Sequence, residues 1–124
     1  MYDIILLVIS MKKVLMILLF LFLLSGCSKE GNITKISCDK MKELMKDSTS
    51  ILLDVRSREE YNEGHLDKAE NRPLTKVDEL DINKETPIIV YCKSGVRSSE
   101  AANMLLKMGY QNIYDLGSMS SCMN

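Results

Sequence analysis

The sequence predicts one small α/β domain: a mostly parallel sheet with helices on both faces. Strand and helix signals alternate from Ile33 to Leu116, and the segments joining them are short, which suits right-handed crossovers. A chain of 124 residues has room for one such domain. Its 16 basic side chains face 17 acidic ones, for a net charge of -1. No basic excess is available to neutralise a phosphate backbone, so nucleic acid is not an expected partner.

The first two dozen residues are expected to lie outside the domain. Lys12 and Lys13 precede an unbroken apolar run from Val14 to Leu24, which leaves through Ser25-Gly26-Cys27. Charge, greasy stretch and small-residue exit are the parts of a secretory signal peptide. A membrane-spanning helix needs about 20 apolar residues, more than this run supplies. The earlier apolar stretch, Ile4 to Ile9, cannot extend it without placing Lys12 and Lys13 in mid-membrane. Residues 1–26 are therefore read as a cleaved signal, with Met11 a candidate for the true start. Leu24-Ser25-Gly26-Cys27 also resembles the lipobox of bacterial lipoproteins. That resemblance implies a diacylated Cys27 at the new N-terminus, anchored to a membrane of the bacterial cell envelope with the domain outside the cytoplasm. An ordinary cleaved signal with an incidental Cys is the alternative. Residues 27–32 form a polar tether, and the domain covers 33–124. Cleavage would leave a slight acidic balance, so bulk charge does not select the partners.

Ile33 to Ile36 is a short strand, and Ser37 can cap a helix whose Met41, Leu44 and Met45 recur at helical spacing. Ile51 to Val55 is a buried-type strand. Ser57-Arg58-Glu59-Glu60 matches a capping box that opens a short helix ending at Gly64, with Glu59 and Glu60 as first-turn charges. Val77 to Leu80 fits one helical turn. Ile88 to Tyr91 is the strongest strand signal; a helix follows from Ser98 to Met108 with Gly109 at its end, and Ile113 to Leu116 supplies the last strand. Parallel sheets place ligand sites beyond the carboxyl ends of their strands, where Asp54 to Ser57 and residues 92–97 both emerge.

Cys92-Lys93-Ser94-Gly95-Val96-Arg97-Ser98 lies between that strand and the helix start. Backbone N–H groups can turn inward around the sulfur, and the helix N-terminus adds about half a positive charge that favours the thiolate. Cys92 is thus a candidate nucleophile. Gly95 permits the tight curl, Ser98 can cap the helix, and Arg97 offers a permanent cation beside a bound anion. A buried, inert core Cys is the plain alternative.

The same seven residues resemble the active-site loop of rhodanese-family sulfurtransferases. Asp54-Val55-Arg56 is similar to the family's D-V-R, Glu60-Tyr61 with Gly64-His65-Leu66 to its E-Y/F-x-x-G-H-I segment, and Gly109-Tyr110, Asn112-Ile113-Tyr114 and Leu116-Gly117 to its closing strand. The resemblance implies a mostly parallel five-stranded sheet and sulfane-sulfur transfer. Cys92 would take sulfur from a donor such as thiosulfate, hold it as a persulfide, and pass it to a small or protein-borne acceptor. Lys93 and Arg97 would attract the anionic donor, Ser94 and Val96 complete the loop, and no metal or organic cofactor is required. A phosphatase of the related type needs five residues between Cys and Arg to enclose phosphate; here there are four. Asp54 and Arg56 are read as an ion pair supporting the loop, and His65 as a turn-fixing side chain. The molecule is expected to act as a monomer.

The sequence departs from the family pattern in places. Glu70-Asn71-Arg72-Pro73 is polar where a short apolar strand is usual, Ser118 replaces a Gly, Cys122 stands at the usual Trp position, and no C-terminal helix follows before Asn124. Cys38 and Cys122 follow the first and last strands, neighbours in the family fold, so an oxidising compartment would allow a disulfide; two separate core thiols are the alternative. Two other functions stand beside sulfur transfer: a thiol redox protein in which Cys122 resolves Cys92, and a non-catalytic module that keeps the loop as an anion site.

Overall fold

A computed structural model describes residues 1–23, 26 and 29–123. The elements run α1 (Tyr2–Leu23), β1 (Asn32–Lys35), α2 (Cys38–Leu44), β2 (Ile51–Asp54), α3 (Arg58–Glu63), β3 (Glu70–Asn71), a 3-10 helix (Leu74–Glu79), β4 (Ile88–Cys92), α4 (Val96–Lys107), β5 (Asn112–Ser118) and a 3-10 turn (Met119–Cys122). The strands form one five-stranded sheet in the order β1-β5-β4-β2-β3, and every pairing is parallel. The chain is a mixed α/β fold with helices on both faces.

Alternation along the central strands assigns the faces. Leu53, Val90 and Cys92 point to the side covered by α4 and the Leu74–Glu79 helix, where they meet Val77, Ala101, Ala102 and Leu105. Leu52, Ile89 and Tyr91 point the other way, against Met41 of α2 and Tyr61 of α3. All five residues of β4 are buried, which explains why its sequence is continuously apolar rather than alternating.

The differences from expectation have local causes. α4 begins at Val96, two residues before Ser98, because Gly95 turns the chain at φ 95° and completes the reversal at once. The polar Glu70–Asn71 segment does pair with β2, over two residues only, as befits an edge that faces water. The two N-terminal apolar stretches join in one exposed 22-residue helix that runs through Lys12 and Lys13. Lysine is a good helix former, so these charges interrupt the hydrophobicity without interrupting the helix. By length and composition α1 could cross a membrane, a test that a signal sequence also passes. Leu24, Ser25 and Cys27 of the lipobox lie outside the described residues.

Candidate active site

β4 delivers Cys92 to the carboxyl edge of the sheet, three residues turn the chain, and α4 departs. Gly95 is the residue at the helix cap and has no side chain to satisfy the first amides. The Cys92 sulfur takes that place: Sγ accepts the Gly95 N–H at 3.0 Å and the Ser98 N–H at 3.4 Å. The sulfur therefore faces the loop amides even though the residue is buried. Ser98 does not cap with its side chain. Its hydroxyl donates to the Gly95 carbonyl at 3.1 Å, and its amide serves the sulfur instead. The Val96 and Arg97 amides, in the first turn of α4, have no intrahelical acceptor and remain donors for a bound anion.

Arg97 requires a correction. Its guanidinium does not stand free for an anion; Nη1 and Nη2 grip the two carboxylate oxygens of Glu60 at 2.7 and 3.0 Å. Glu60 also closes the capping box at the start of α3, accepting the Ser57 N–H at 3.1 Å while its own amide donates to the Ser57 hydroxyl at 3.2 Å. The Arg97 bonds hold the Glu60 carboxyl at about 2, well below the ordinary value of 4.5. The pair thus ties the start of α4, beside Cys92, to α3. Glu60 was legible as a capping-box residue and first-turn charge but not as the partner of Arg97, which lies 37 residues away. Lys93 and Ser94 are exposed at the loop tip, and Val96 is 71% exposed on the first turn.

Below the loop lies a buried polar network. The Asp54 carboxylate accepts the Arg56 backbone N–H at 2.9 Å, Arg56 Nε at 3.0 Å and Nη2 at 2.6 Å. Arg56 Nη2 also reaches the Gly64 carbonyl at 2.7 Å. Tyr91, which the sequence marked only as a strand residue, donates its hydroxyl to Asp54 at 2.7 Å and accepts the Leu66 N–H at 3.1 Å. Burial, followed by the bond to Asp54, pushes the Tyr91 phenol upward. The network fixes the carboxyl end of β2 and the Gly64–Leu66 turn against β4. His65 is exposed, bonds through Nδ1 to the Tyr61 carbonyl at 2.9 Å and stacks on the Tyr61 ring at 3.7 Å.

A pocket of about 390 Å³ opens beside the loop, lined by Arg56, Glu60, Glu63, Gly64, Lys93, Met119, Ser120 and Met123. Its size suits a small molecule. Among the described residues, no group of three His, Cys, Asp or Glu side chains could hold a metal ion. Cys38 and Cys122 are joined in a disulfide, with Cα atoms 5.3 Å apart, and pack against the sheet face opposite that of Cys92. Cys122 is therefore committed elsewhere, which removes it as the resolving partner of Cys92.

Residues 37–122 match the family model of the rhodanese-like domain. The chain belongs to the rhodanese-like family. The thiosulfate sulfurtransferase GlpE of Coxiella burnetii is 33% identical to this rhodanese-like chain over 76 residues, covering 60% of this chain and 71% of the relative. A solved rhodanese with anions from E. coli is 32% identical, with a TM-score of 0.56, over 58% of this chain and 89% of the other. The human single-domain sulfurtransferase TSTD1 shares the fold at a TM-score of 0.66 and 21% identity, over 72% of this chain and 94% of the other. At family level the chemistry is that of a rhodanese-type sulfurtransferase.

Proposed function

We propose that the protein moves sulfane sulfur from a small anionic donor such as thiosulfate to a thiophilic acceptor through a persulfide on Cys92. The observation that carries this reading is the Cys92 sulfur held by the Gly95 and Ser98 amides at the N-terminus of α4. The thiolate attacks the outer sulfur of thiosulfate; a Cys92 S–S bond forms, and sulfite departs with the electron pair of the broken bond. An acceptor thiolate or cyanide then attacks the outer sulfur, and Cys92 leaves as the thiolate. Both anionic states face fixed amide dipoles that need no reorganisation, which is the condition for stabilising charge as it develops. With Arg97 bound to Glu60, Lys93 supplies the exposed charge that draws the donor. A related solved structure, a rhodanese with anions from E. coli, favours an anionic donor.

Placement is part of the proposal. Residues 1–26 serve as a signal, and a lipid on Cys27 holds the domain on a membrane of the cell envelope, outside the cytoplasm. The intramolecular disulfide supports that reading, because such bonds persist in oxidising compartments.

Weighing the intact chain after incubation with thiosulfate tests the chemistry. The expected result is a gain of one sulfur atom that Cys92→Ser lacks and that cyanide removes as thiocyanate. A chain that gains no sulfur while Cys92 is free and the fold intact overturns it. The anchor is tested by mass analysis of the N-terminal peptide from cells, which should begin at a lipid-bearing Cys27; an unmodified Cys27 would refute it.

A further inference from the structure

Building on Cys92 as the sulfur carrier, we propose that the Cys38–Cys122 disulfide controls one wall of the active-site pocket and thereby sets which acceptors reach the persulfide. With the bond closed, small anions and small thiols enter; with it opened by a dithiol reductant, a protein-borne thiol can approach.

The wall is the 3-10 turn after β5. Met119, Ser120 and Met123 line the pocket together with Lys93. Cys92 itself is fully buried and lies behind Lys93 in sequence rather than in the pocket lining, so any bulky partner must displace something to touch its sulfur.

The turn is poorly held except by the disulfide. Ser118 anchors its start, donating its hydroxyl to the Lys93 carbonyl at 2.6 Å. Beyond that point the hydrogen bonds found among the described residues close within the segment: Ser120 N–H to the Ser118 hydroxyl, Ser121 hydroxyl to the Ser118 carbonyl, and Met123 N–H to the Ser120 carbonyl. What fastens the turn to the body is packing by Met119 and Cys122 and the covalent link to Cys38, the first residue of α2. Segments with few contacts and local hydrogen bonds open at low free-energy cost. Removing the covalent tie would therefore release the wall beyond Ser118 while the sheet and α4 stay in place.

The bond is also placed to be reached. Both half-cystines are partly exposed. Cys122 lines a second cavity, of about 370 Å³, whose charged lining is Lys42, Lys46 and Lys68 against a single acid, Asp67. That net positive lining beside Cys122 favours the approach of an acidic dithiol protein. In the exchange, one thiolate of the dithiol attacks a protein sulfur and forms a mixed disulfide. The second thiolate then resolves it, leaving the reductant oxidised and Cys38 and Cys122 as thiols. Two electrons and two protons pass to this chain, and the dithiol is the only co-reactant.

The test uses the full chain in detergent and compares N-ethylmaleimide with a polymer-tagged maleimide, reading modification at the Cys92 peptide by mass. In the disulfide form the polymer reagent should lag the small one by at least about tenfold more than it does on a free model thiol, a factor equal to about 1.4 kcal/mol of barrier. Reduction by a dithiol, or Cys38→Ala with Cys122→Ala, should bring that ratio back to the model-thiol value while amide exchange of β4 and α4 stays slow. Should the double variant lose that protection, Met123→Ala with the disulfide intact provides the second measurement, and it should raise polymer access to Cys92. A ratio that is the same in both redox states, or unmoved by Met123→Ala, overturns the proposal. Thiosulfate loading of Cys92, measured on separate aliquots of the disulfide form and of the double variant with no dithiol or maleimide present, reports on sulfur transfer: loading without a redox-dependent ratio sinks the wall alone, and a redox-dependent ratio without loading sinks the transfer alone.

Discussion

The Cys92 sulfur occupies the place that a Ser or Asp oxygen fills at an ordinary helix start, accepting amides that the helix cannot satisfy. Its position rests on Tyr91 of its own strand and Glu60 of α3. Tyr91 joins Asp54 of β2 to the Leu66 amide, so Tyr91→Phe strands one buried acceptor bond and one amide. The expected cost is roughly 1 to 3 kcal/mol, read as a lower urea midpoint. Glu60 carries a pH dependence. Its folded value of about 2 lies below the ordinary 4.5, so its contribution is complete above about pH 4.5 and is lost as the pH falls toward 2. Glu60→Gln should lose less stability than the parent chain over that acid range, measured by urea midpoints from pH 6 to pH 3. Equal acid slopes would show that the Glu60–Arg97 pair contributes nothing there.

Among the elements, the turn from β4 into α4 carries the most constraint. Gly95 sits at φ 95°, and a Cβ there would lie 3.6 Å from the Gly117 Cα, so space remains but the backbone conformation is wrong for any other residue. Gly95→Ala should destabilise the domain by about 1 to 2 kcal/mol. Because the strain falls on a residue whose amide holds the sulfur, sulfur loading should slow by about tenfold or more while the sheet remains folded. Stopped-flow release of sulfite reports the rate. α3 shows the same economy at its own start. Ser57 and Glu60 satisfy each other's amides, and Glu60 then extends to Arg97 of α4. Ser57→Ala should cost about 1 kcal/mol, and that loss is expected to appear in the urea midpoint rather than in the sulfur-loading rate.

For the whole molecule, the disulfide closes a loop between residues 84 apart, joining the start of α2 to the turn after β5. Cross-linking so distant a pair restricts the unfolded chain, and reduction should lower stability by about 2 to 4 kcal/mol. Urea unfolding with and without a dithiol checks this, and a shift below about 0.5 kcal/mol would mean that the bond serves access rather than stability. The sheet divides the chemistry of the cysteines, with Cys92 on the α4 side and the half-cystines on the α2 side. A free thiol and a disulfide can coexist in one small domain because the faces are separated.

The α/β class, the order of strands and helices, the capping box and the turn that carries Cys92 were all legible in the linear order of residues. Each depends on interactions between neighbours in sequence: apolar runs, capping spacings, and a Gly at a turn. The Asp54–Arg56 pair was legible for the same reason, its members standing two residues apart. What only the tertiary structure decided was pairing at a distance. Arg97 turns to Glu60, Tyr91 to Asp54 and Leu66, Cys122 to Cys38, and Ser118 to the Lys93 carbonyl. No periodicity encodes such partners, because they meet only when parallel strands bring their carboxyl ends to one edge and direct side chains to opposite faces.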